Sequence, residues 1–66
     1  MQPHEQRVVD EKTELDDKLA KLNAFIGQSP IFQGLPTEDQ ALLKAQHTHM
    51  TCYTEVLGQR IERFNH

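Results

Sequence analysis

Ala41–Phe64, ALLKAQHTHMTCYTEVLGQRIERF, is the stretch whose reading decides the fold. Counting by sevens from Leu43 gives Leu43, Met50, Leu57 and Phe64, a single apolar line. Counting by sevens from Gln46 gives Gln46, Tyr53 and Arg60, a second line beside the first. Two turns of α-helix take ~7.2 residues, so a seven-residue repeat keeps each line on one face. The stretch therefore predicts a long helix carrying an apolar ridge next to a ridge of amide, phenol and guanidinium. Just upstream, Thr37 and Gln40 have capping-box spacing, and Glu38 and Asp39 suit the positive end of the helix dipole. The helix is predicted over about 37–64, interrupted only by Gly58, which costs ~1 kcal/mol relative to alanine. A glycine kept at that cost points to close approach by another helix or a ligand, or else to a tolerated surface position.

The first half of the chain predicts a second long helix, over about 3–26. Pro3 suits the first helical turn, where its missing N–H costs nothing. Val8, Lys12, Leu15, Leu19, Leu22 and Ile26 then follow at alternating spacings of four and three, the a/d spacing of a helix-packing seam. Glu14–Lys18 and Asp17–Lys21 are i,i+4 pairs on the opposite side, and Asp16–Asp17 reads as a solvated face. Gly27 suits a C-cap, and Ser29-Pro30 stops any continuation. In the connector 27–36, Ile31, Phe32 and Leu35 are expected to fold back and plug one end of the helix pair, unless Phe32 reaches a neighbouring subunit.

The fold class is thus all-α: two long antiparallel helices forming a single hairpin domain over 1–66. Chains of 66 residues bury only ~60% of their unfolded surface, and Cys52 alone cannot form an intrachain disulfide. Oligomerisation is then the expected staple, with the Leu43–Phe64 ridge as the assembly surface. Apolar residues make up 36% of the chain, and no segment approaches the ~20 apolar residues of a membrane span. The start, MQPHEQRVVDEK, has no apolar run of a secretory signal, so an intracellular location is expected. Net charge is −3, which disfavours duplex nucleic acid but leaves room for a small phosphorylated ligand.

Few residues suggest chemistry. Lys12 interrupts an apolar seam, either to fix register with its stem packed, or to hold a cation at an interface where it meets phosphate. Gln46, Tyr53 and Arg60 are residue types that recognise nucleotides, but at ~10.5 Å spacing one small ligand touches two of them at most. Flanking the core, with the Tyr53 hydroxyl at the rim, is the plainer role for them. His49 and Cys52 share a face but supply only two of the four ligands a structural zinc needs, so no metal and no cofactor is expected. No nucleophile, base and orienting acid come together, and the chain is not expected to be an enzyme.

The second helix, with LLKAQHTHM followed by Tyr53 and Val56-Leu57 ahead of Arg60-Ile61, and the first, RVVDEKTELDDKLAKLNAFI, carry a family likeness. Over about Arg7–Phe64 they resemble the helical hairpin of small phage proteins that counter the CBASS and Thoeris defences. The resemblance implies a sponge, which sequesters cyclic di- or trinucleotide messengers between subunits without cleaving them. It also implies a homohexamer acting in the cytoplasm of the host bacterium. Lys12, in V-D-E-K, matches the family's phosphate-contacting lysine, with Arg7 or Arg60 as a second cation. Gln46 and Met50 match a Q-x-x-x-M spacing that reads as packing. The family stacks the base on an aromatic ahead of that lysine, but the first aromatic here is Phe25. Stacking would then fall to Tyr53, Phe32 or His4, or the ligand class differs. The competing expectation is a protein–protein interaction module with no small ligand.

Overall fold

The computed structural model describes residues 1–65, with side chains through Phe64. Three helices follow in order: α1 (Pro3–Gln28), the short α2 (Pro30–Gln33) and α3 (Thr37–Glu62), with a 3-10 turn over Arg63–Asn65. The hairpin packs α1 against α3 into a rod of 47 × 14 × 14 Å. That cross-section is two helices and nothing more. A single copy has no interior in which to enclose a ligand.

The inner faces meet where the sequence placed its seams. Val8 and Leu15 of α1 bury against Leu57 of α3, and Met50, Ile61 and Phe64 pack around them. Leu57 is 0% exposed. The Leu43–Met50–Leu57–Phe64 ridge, expected to be the assembly surface, is therefore spent largely on the hairpin's own core. The reason is geometric: both helices carry one apolar seam, and the short connector turns the two seams toward each other before any second chain arrives.

Helix ends differ from expectation in instructive ways. Gly27 does not end α1, which runs on to Gln28. The stop comes from Pro30, whose ring forces Ser29 into extended backbone, φ −86° and ψ 126°. Ser29 then serves two helices, since its N–H donates to the Phe25 carbonyl at 3.3 Å and its Oγ accepts from the Ile31 N–H at 3.2 Å. Of the three connector residues expected to plug the end, Phe32 does so, buried edge-on against Phe25 with ring centroids 5.9 Å apart. Leu35 is half-buried and Ile31 points out.

At the start of α3 no Thr37–Gln40 capping box forms. The N-cap is Pro36, and the Gln40 amide donates instead to the Gln33 and Leu35 carbonyls, at 3.2 and 2.9 Å. Thr37 is the first helical residue rather than the cap, and Pro36 has no N–H for the Gln40 oxygen to accept, so the Gln40 amide serves the carbonyls that end the short α2 and the turn after it. Of the two expected i,i+4 pairs, Asp17–Lys21 forms at 3.2 Å, and Glu14–Lys18 does not close.

Candidate functional site on the polar flank

One flank of the hairpin carries both a polar network that crosses between the helices and a shallow cleft. Near the chain ends, Lys12 comes off α1 with its stem lying over Gly58 of α3. A Cβ built on Gly58 would sit 3.3 Å from the Lys12 Cε. The glycine that interrupts α3 thus makes room for the seam lysine. The Lys12 ammonium turns back along its own helix to Asp16 Oδ2, 2.8 Å away. The other carboxylate oxygen, Asp16 Oδ1, accepts a hydrogen bond from the Thr54 hydroxyl. Thr54 is the only buried polar residue among those described, and this bond satisfies it.

Lys12, Asp16 and Thr54 therefore form a closed network that ties α1 to α3. The hydrogen bond from Lys12 is the main cause holding the Asp16 carboxyl below its usual range, and Thr54 adds to it. The Lys12 side chain keeps 30% of its surface exposed. A phosphate could reach it, but only in competition with Asp16.

Farther along the same flank, toward the connector, the helices part into a shallow cleft of about 280 Å³ lined by Asn23, Ile26, Lys44, His47 and Thr48. The cleft joins an apolar floor, Ile26, to an amide, an imidazole and an ammonium. Lys44 makes no ion pair among the described residues. Its ammonium stands 6.0 Å from the Phe32 ring centroid, at the outer limit of a cation–π contact. The Thr48 hydroxyl is turned back onto the Lys44 carbonyl at 3.1 Å. Lys44 is thus the cation of this flank that no carboxylate holds.

The sequence-predicted residues do not converge. Each helix residue is turned ~100° from the one before, so Tyr53 lies well away from Thr54, and Arg60 farther still from Gly58. Tyr53, Arg60 and Arg7 are exposed, and Phe32 is buried in the connector plug. His4 lies exposed in the first turn of α1. Within one hairpin Lys12 therefore meets none of them, and any ligand they share would have to lie between copies. The sequence reading missed Asn23, Lys44, His47 and Thr48. Lys44 and His47 stand at i,i+3, on one face of α3, and that spacing was the available signal. Among the described residues, no three of His, Cys, Asp and Glu gather where they could hold a metal.

A family model described as Sequestin matches residues 2–63. The chain belongs to the Sequestin family. The match spans both long helices and the connector, so the whole hairpin is the family's unit. The family's name is that of a sequestering protein, which agrees with the expected sponge at that level and leaves the captured ligand unnamed. No curated protein and no solved structure matches the Sequestin chain. No helix among its described residues is long and apolar enough to cross a membrane.

Proposed function

We propose that this Sequestin chain captures a cyclic oligonucleotide messenger, a cyclic di- or trinucleotide, between copies of itself and holds it without cleaving it. In a phage setting that would keep a bacterial CBASS-type defence from being switched on. The ligand class comes from the family resemblance. The observation that favours an anionic ligand on this molecule is the cleft with its unpaired Lys44. A phosphodiester would meet the Lys44 ammonium, and a base would lie on Ile26 with its edge toward the Asn23 amide. Lys12, set against Gly58 and so ~21 Å along α3 from Lys44, would reach the same ligand only from another copy, by releasing Asp16, and so would Arg7, turned ~140° from Lys12 on α1. Because the rod is two helices thick, the other wall of the site has to come from another copy. Tyr53 and Arg60, which face away from the cleft, could reach the ligand only from that copy.

The test is a thermal melt and native mass spectrum with a panel of cyclic di- and trinucleotides. Bound ligand should raise the melting temperature by mass action and return intact when the protein is denatured. A panel that neither shifts the melt nor appears in the complex overturns the reading, and a hydrolysed product would show an enzyme instead. Lys44→Ala should weaken capture about 10–100-fold, the usual loss for one charge-assisted hydrogen bond, with helix content unchanged.

A further inference from the structure

Two acid-free stretches of the chain run side by side. No aspartate or glutamate occurs from Lys18 to Thr37, nor from Gln40 to Thr54, in a chain whose net charge is −3. The bond between Asp16 and Thr54 sets the register of the hairpin, and the antiparallel helices then bring the two stretches together. The cleft lies there, with Asn23 and Ile26 from α1 and Lys44, His47 and Thr48 from α3. No carboxylate lines it. The nearest acid of α1, Asp17, is six residues from Asn23 and is paired with Lys21 at 3.2 Å. On α3, Asp39 stands five residues before Lys44, and Glu55 eight after His47. The short α2 has no charged residue and brings only the Phe32 ring toward Lys44.

Lys44 is exposed and His47 is half-buried at the cleft wall. The hydroxyls beside them are spent on backbone, Thr48 on the Lys44 carbonyl at 3.1 Å and Thr51 on the His47 carbonyl at 2.9 Å. The proposed capture uses the Lys44 ammonium and leaves the imidazole without a role. We infer that His47 is the second phosphate donor of the cleft, so that Lys44 and His47 grip one anion between them. The two stand at i,i+3, a spacing that lets both side chains reach one group. A neutral imidazole donates from one nitrogen, a protonated one from both and with charge. Once protonated, His47 stands beside Lys44 with no carboxylate to offset it, and the two cations repel until an anion lies between them. Anion uptake and proton uptake are therefore linked, each favouring the other. The grip should tighten as pH falls.

The inference deepens the proposed capture and rests on the cleft being its anion site. Its test uses the full chain with sulfate, an anion of phosphate shape that carries no base and keeps its charge between about pH 5.5 and 8, the range in which imidazoles change theirs. At constant ionic strength, sulfate should move the NMR signals of the His47 ring and of the Lys44 side chain. Its dissociation constant should be about five-fold lower at the acid end, the weaker end of a charge-assisted hydrogen bond because the cleft is open. His47→Gln keeps a neutral donor and should bind sulfate equally at both pH values. His49→Ala removes an exposed imidazole ~200° round the helix and should leave the ratio unchanged. Lys44→Ala should weaken sulfate at both. An affinity that does not change with pH, a ratio that survives in His47→Gln, or one that disappears in His49→Ala would overturn the grip. The His47 ring signals of the unaltered chain read the contact even where a substitution disturbs the wall. A failed nucleotide panel would leave a positive sulfate result standing, and a flat sulfate profile would leave nucleotide capture through Lys44 standing.

Discussion

Val56 and Leu57 are chain neighbours of nearly the same chemistry, and the hairpin treats them oppositely. Leu57 is fully buried between Val8 and Leu15, and Val56 is half open on the outer face. One residue of helix turns a side chain by ~100°, enough to move it from the core to the surface. Apolar character on α3 therefore has two meanings. The inner stripe makes the hairpin; the outer one stays open to solvent.

The largest effect should separate these two residues. Leu57→Ala removes the most buried side chain of a thin core and should cost about 2–5 kcal/mol, a large share of what so small a domain has. Val56→Ala, measured in dilute protein, should leave the hairpin as stable or slightly better, since alanine is the better helix former. Urea midpoints for the two variants check the contrast. Equal losses would mean that the outer face packs within the single chain after all.

The sequence made the hairpin readable because both inner seams repeat at helical period, and Ser29-Pro30 breaks the chain once between them. It did not tell that the Leu43–Phe64 line would meet α1 rather than another copy, because an apolar line shows that a helix packs and not against what. Where the two helices meet, Gly58 leaves room for the Lys12 stem. Lys12 stood out as odd and Gly58 as costly, but nothing in one-dimensional spacing joins residues so far apart. For the same reason the Thr54–Asp16 bond was invisible, and so was the cleft, which needs both helices to exist.

A smaller effect should come from that closed network. Thr54→Val keeps the shape and removes the hydroxyl, and should cost about 1 kcal/mol while letting the Asp16 carboxyl rise toward its ordinary value. The acid dependence has a fixed sign. The folded-state value for Asp16 lies below 3.8, so its contribution is fully present above the unfolded value of ~3.9 and disappears as pH falls through the folded one. Carboxyl-carbon NMR should place the Asp16 titration below the ordinary aspartate range, and Asp16→Asn should remove that part of the acid limb of the melting curve. An Asp16 that titrates in the ordinary aspartate range would mean that the contact to Lys12 does not hold in solution.

The smallest expected change is at Gly58. Alanine there recovers helix propensity worth ~1 kcal/mol, but its Cβ arrives 3.3 Å from the Lys12 Cε, a few tenths of an ångström too close. The atom it meets belongs to a flexible stem, so Lys12 should swing slightly outward and the hairpin should gain somewhat less than 1 kcal/mol. The swing loosens the 2.8 Å bond to Asp16, and the Asp16 titration should shift upward in the same variant. That pairing of a higher melting temperature with a weaker ion pair distinguishes a glycine kept for the lysine from one merely tolerated. If Gly58→Ala raises stability and leaves Asp16 unmoved, the glycine makes no room for anything. If it unfolds the hairpin, the inner face is packed more tightly around Lys12 than its 30% exposed side chain allows.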